Sequence, residues 1–128
     1  MNPYATPQAY RQNSVLTASP GQLVVMLYDG AIRFLRQAEI AMEEGSVAQT
    51  NDRMQRAEAI LEELISTLNM DAGEISQRLQ SIYIFCRSEL IASRIHRDPK
   101  KIQQVIGLLT NLREAWAEIA GAGAGAGV

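Results

Sequence analysis

Side chains that could act as acid, base, nucleophile or metal ligand are scarce in this chain and poorly arranged for such work. His96 is its one histidine and Cys86 its one cysteine. A nucleophilic thiol needs a base within hydrogen-bond reach, and no histidine stands at helical spacing from Cys86. A di-iron helical bundle needs paired Glu-x-x-His motifs, which a single histidine cannot supply. No GxxxxGKS/T run is present to cradle a phosphate. A phosphorelay histidine works from an exposed position in mid-helix, whereas His96 stands before Arg97-Asp98-Pro99, at a helix end. The sequence therefore predicts no enzyme, no cofactor and no metal site.

What remains is the chemistry of apolar contact. Val25, Tyr28 and Ile32 fall near the start of one long helical pattern, and Ile84, Phe85, Ile91 and Ile95 in a later one. The spacing i, i+7, i+11 puts Ile84, Ile91 and Ile95 within roughly 40° of one another around a helix, with Phe85 on a flank. They lie away from the face that the same segment would turn inward, Ile75, Leu79, Ile82, Tyr83, Cys86 and Leu90. Each helix of a small bundle needs an apolar stripe of about 100°, and Val25, Tyr28 and Ile32 widen the first helix's stripe beyond that. Surplus apolar surface marks a protein interface. The residues alone leave three occupants open: the chain's own N-terminal arm, a second copy, or a foreign amphipathic segment laid into a groove.

Four helices have to position these side chains. The first runs from about Pro20 to Glu44, with Ser19 as N-cap, Pro20 at the first helical position and Gln22 closing a capping box. Its inner face is Leu23, Leu27, Ala31, Phe34, Leu35, Ala38 and Ala41, and Gly45 suits the left-handed residue that ends it. Ser46 opens the second helix, whose Met54, Ala57, Leu61, Leu64, Ile65 and Leu68 keep three-four spacing. Residues 69–73 break the pattern, with Asp71 and Glu74 as a cap pair for a third helix reaching about Ile95. Asp98 caps the fourth, with Pro99 first and Ile102, Val105, Ile106, Leu109, Leu112, Trp116 and Ile119 inward. Short connections make successive helices antiparallel neighbours. The predicted fold is all-α, an antiparallel up-down-up-down four-helix bundle over 19–120. It carries a flexible N-terminal arm (1–18) and a flexible Gly/Ala tail (121–128).

Bulk properties agree. The chain has 128 residues, a net charge of −2 and one cysteine. That length suits one domain with a real core. The charge gives no footprint for nucleic acid, and the lone cysteine fits a reducing cytoplasm. No apolar run approaches a membrane span, and the first residues lack a basic region followed by an apolar block, as a signal peptide would have. A soluble cytoplasmic protein is expected.

Some single residues carry further expectations. Tyr28, with an apolar ring and polar tip, suits either a partly wet interface or the edge of the core. Asp29 is placed to pair with Arg33 one turn on. Gly30 costs its helix about 1 kcal/mol relative to alanine, which a close helix approach would justify. Trp116 is expected in the core, its indole nitrogen seeking a partner.

The runs Thr17-Ala18-Ser19-Pro20 and Leu27-Tyr28-Asp29-Gly30-Ala31-Ile32 resemble the flagellin export chaperone family, FliS. The likeness continues through 57–69, Gly73 to Ser76, Leu79 to Tyr83 and Leu112 to Trp116, about the first 120 positions. Two departures stand out: Ala72-Gly73 replaces a common glycine pair, and the Gly/Ala tail has no reliable counterpart. The resemblance implies a chaperone whose client is the C-terminal segment of flagellin, disordered as a monomer and helical once wrapped around the bundle. It implies masking of that segment against premature polymerisation and aggregation, and delivery to the flagellar type III export gate. Tyr10 corresponds to the family's N-terminal tyrosine, implied to cap the groove or touch client or gate. With it, Val25, Tyr28, Ile32, Ile84, Phe85, Ile91 and Ile95 make up the candidate client-binding residues. A self-associating helical scaffold is the alternative.

Overall fold

The computed structural model describes residues 18–121. The N-terminal arm up to residue 17, with Tyr10, and the tail beyond Gly121 lie outside the described residues. Four α-helices follow in order: α1 (Pro20–Glu43), α2 (Val47–Ser66), α3 (Glu74–His96) and α4 (Pro99–Gly121), with a 3-10 turn at Met70–Ala72 before α3. Among the described residues there is no strand.

The helix ends follow from local chemistry. Ser19 is extended and its Oγ accepts from the Gln22 N–H at 3.2 Å, while Gln22 Oε1 accepts from the Ser19 N–H at 2.8 Å. This closes the expected box. At the other end Gly45 takes φ 76°. The Gly45 and Ser46 N–H groups donate back to the Met42 and Ala41 carbonyls at 3.1 and 2.9 Å, the double bond pattern of a Schellman stop. The Ser46 hydroxyl accepts from the Gln49 N–H to start α2, and Asp98 Oδ1 accepts from the Lys100 N–H to start α4. The α3 start departs from the sequence expectation. Asn69, not Asp71, is the cap, and it caps the 3-10 turn by accepting from the Asp71 N–H at 3.1 Å. Gly73, at φ 89°, then turns the chain directly into α3 without a side-chain cap. The Ser76 hydroxyl ties the new helix back to the Asn69 carbonyl at 2.6 Å.

The helices form a ring in which α1 packs on α2 and α4, and α3 packs on the same two from the opposite corner. The α1–α2 contact is the most extensive, because Gly30, Ala31, Ala38 and Ala41 line α1 with little more than backbone. A Cβ on Gly30 would stand 3.3 Å from Ile60 Cδ1 of α2; the close approach that its presence implied is within the bundle. The core runs along the axis through Leu35, Met54, Leu61, Leu64, Leu90, Ile102, Val105 and Leu109, all at most 1% exposed. Trp116 joins it at one end.

Three residues assigned inward by periodicity are exposed: Leu23 (36%), Ile75 (52%) and Ile119 (39%). All sit in the terminal turns of their helices, and Ile119 lies beside the inner face of α4 rather than on it.

Candidate functional site

On α3 the outward strip exists as spaced. Ile84, Phe85, Ile91 and Ile95 are 42%, 43%, 37% and 67% exposed, while Leu79, Tyr83, Cys86 and Leu90 of the same helix are buried. Ile84, Ile91 and Ile95 share one side of α3 with Phe85 on a flank, and ion pairs tie the helix to its neighbours on both sides. Toward α2, Arg94 forks onto Glu58 at 3.1 and 3.3 Å, and Arg87 approaches Glu62 at 3.9 Å. Toward α4, Lys101 pairs with Glu89 at 3.1 Å.

These pairs make the two valleys that flank α3 unlike. The α2 side is edged with charge. The α4 side is apolar beyond the Lys101–Glu89 pair: Ile82 on α3 and Leu108 and Leu112 on α4 are half-buried against the core, and Ile119 is exposed. Leu108, Leu112 and Ile119 lie within about 40° of one another around α4, on the side that also presents Lys101 to α3. Periodicity assigns Leu112 and Ile119 to the core and passes over Leu108. The spacing i, i+4, i+11 beside the inner face is the signal that marks all three.

On α1, Val25 and Ile32 are half-buried and packed against the core. They face α4, as does Asp29, whose carboxylate takes Arg113 of that helix at 2.9 Å. The expected local pair with Arg33 is therefore replaced by one between helices; the Arg33 guanidinium instead stands 5.6 Å from the Phe34 ring centroid.

Tyr28 requires a correction. Far from a partly wet interface, it is 0% exposed, and its hydroxyl is hydrogen-bonded to that of Tyr83 across the core, with ring centroids 6.2 Å apart. A phenol that is bulky and mostly apolar fits the interior once its one polar atom has a partner, and α3 supplies that partner from the opposite corner of the ring. Burial drives the Tyr28 pKa well above the ordinary phenol value, and the Tyr83 hydroxyl adds to the rise. Tyr83 is raised as well, chiefly by burial. The nearby Trp116 indole works against both shifts.

Cys86, under the same cover, has its thiol pushed up to about 11, mainly by burial; it is protonated and inaccessible, the reverse of a reactive cysteine. His96 is exposed at the end of α3. Among the described residues no group of three or more His, Cys, Asp or Glu could hold a metal, and no helix is long and apolar enough to cross a membrane. A cleft of about 360 Å³ where the α1–α2 turn meets the α3–α4 turn is lined by Met42, Val47, Thr50, Arg97 and Pro99 with Glu39 and Glu43.

The arrangement is thus an outward isoleucine strip on α3, with Phe85 standing between it and an apolar valley toward α4. The family model for flagellar protein FliS matches residues 1–123. The chain is 37% identical over 117 residues to the flagellar secretion chaperone FliS of Bacillus subtilis, covering 91% of this chain and 85% of that protein. It is 33% identical to the Salmonella typhimurium chaperone of the same name, covering 90% of this chain and 87% of that protein. The Campylobacter jejuni chaperone is also 33% identical, with 87% and 88% covered. With a helical bundle of this form, and with that match over nearly its whole length, the chain belongs to the flagellar protein FliS family.

Proposed function

We propose that this chain is a cytoplasmic flagellar secretion chaperone. It binds the C-terminal segment of flagellin, prevents its premature polymerisation and aggregation, and helps deliver it to the flagellar type III export apparatus. The observation that carries this reading is the exposed strip Ile84, Phe85, Ile91 and Ile95 on a helix whose other face is already in the core. The family match supports the identity of the client and of the export route.

The mechanism is steric. An amphipathic client segment lays its apolar side on the strip and the adjoining valley, and the area it buries is area it can no longer offer to another flagellin. A segment that folds as it binds loses conformational entropy on docking, so a large contact yields only moderate affinity, as suits a cargo to be released. No bond is made or broken. In this reading 19–120 is the chaperone domain, Val25 and Ile32 extend the client surface onto α1, Tyr10 acts from the arm, and Tyr28 supports the site from inside.

Titrating the protein with a peptide of the flagellin C-terminal segment tests this. Helicity by circular dichroism should exceed the sum of the separate partners, and the binding heat capacity should be negative. No binding would overturn the proposal. A stable dimer in sedimentation whose contact occludes the strip would favour the self-associating scaffold.

A further inference from the structure

α3 carries apolar side chains on two sides, and hydrophobicity alone does not choose between them. Leu79, Tyr83, Cys86 and Leu90 point inward. Turned about 130° around the helix axis, Ile84, Ile91 and Ile95 would point inward instead. The neighbours have no such freedom: the outer sides of α2 and α4 carry Asp52, Arg56, Glu63, Gln104, Asn111 and Glu118, all exposed. A helix with two apolar sides needs something polar to specify its rotation.

The structure contains it. Tyr83 reaches across the ring to Tyr28, the two hydroxyls bonded where neither residue is more than 1% exposed. Arg94 grips Glu58, itself 9% exposed, with two hydrogen bonds. Every buried side-chain polar atom among the described residues has a partner in this rotation. With the strip turned inward, Tyr83 leaves Tyr28, whose hydroxyl is then unpaired in the core, and Arg94 leaves Glu58. Buried polar groups without partners are costly, which is how a few such contacts can decide between packings of similar apolar content.

We propose that Tyr28 and Tyr83 are positioning residues that hold α3 in the rotation that keeps the isoleucine strip outside, so the client surface is already displayed before any client arrives. The functional consequence rests on reading that strip as the docking surface; the rotation itself is measured without a client.

Cys86 is a native reporter, since it lies on the inner side of α3 and is the only cysteine. Maleimide labelling is followed at two thiols: Cys86 in the natural chain, and a thiol placed on the strip by Ile91→Cys in a Cys86→Ser background. Each is compared with and without the pair Tyr28→Phe and Tyr83→Phe. The pair should speed labelling at Cys86 on the order of tenfold, the scale of one buried hydrogen bond, and slow labelling at position 91. Opposite changes at the two sites are the signature, because unfolding or general loosening speeds both. Acceleration at both sites, or no change at either, overturns the proposal. Should the double variant fail to fold, the single Tyr83→Phe is read by the same criterion. A flagellin peptide that fails to bind the natural chain would remove the docking reading while leaving the labelling outcome intact.

Discussion

Truncating the strip one residue at a time should separate what each isoleucine does for the fold from what it offers a client. Ile95, Ile84 and Ile91 are 67%, 42% and 37% exposed. Fully burying an isoleucine is worth about 1.5–3 kcal/mol. The share still available to a client is then about 1–2 kcal/mol at Ile95 and roughly 0.5–1.2 kcal/mol at the other two. As dissociation constants these are ceilings of roughly 5- to 30-fold for Ile95→Ala and 2- to 8-fold for Ile84→Ala or Ile91→Ala. Alanine keeps the Cβ, so measured losses should fall below the ceilings. The stability losses should run in the opposite order, since the covered share is largest at Ile91. Calorimetric titration with the flagellin C-terminal peptide gives the first ranking and thermal melts of the free protein the second. Equal affinity for all three variants and the parent would refute the strip as the client surface. An affinity order led by Ile91, with Ile95 silent, would refute the partition of area behind it.

Gly30→Ala should raise the melting temperature, because it recovers about 1 kcal/mol of helix propensity and the atom it meets is the movable end of Ile60. Gly30→Leu should lower it by overfilling the α1–α2 contact; an Ala variant less stable than the parent would show that Ile60 cannot give way. Alkaline pH should destabilise the bundle. Cys86, Tyr28 and Tyr83 have raised pKa values when folded, so above each ordinary value the unfolded chain loses protons that the folded one keeps, and stability falls as pH rises. The decline should begin near the ordinary thiol value of 9.0 and steepen past the ordinary phenol value of 10.0. Tyr28→Phe with Tyr83→Phe should flatten the steeper part, and melting temperatures taken from pH 8 upward would expose a profile that does not change.

Helix number, order and most caps are legible in the sequence, since Ser19, Gln22, Gly45, Ser46 and Asp98 act through groups only a few residues away. The exposure of Ile84, Ile91 and Ile95 is legible for a related reason: periodicity says which side of a helix a residue occupies. It does not say how well a terminal turn is covered, and it misplaces Leu23, Ile75 and Ile119, all in terminal turns. Nor does it show partners distant in sequence. Asp29 finds Arg113 and Tyr28 finds Tyr83, pairings decided by how the ring closes. Tyr28 looks like surplus surface on a helical wheel because its inward position becomes necessary only once Tyr83 is there to meet it.

The partial embedding of the strip has one more consequence. Ile84, Phe85 and Ile91 are more than half covered by their own protein, so a client arriving there meets side chains already partly packed. The same embedding withholds part of each side chain from the visitor and so caps the adhesion. On the proposed reading, unloading at the export machinery needs no fuel inside this protein. A competitor for the client's apolar side would be sufficient.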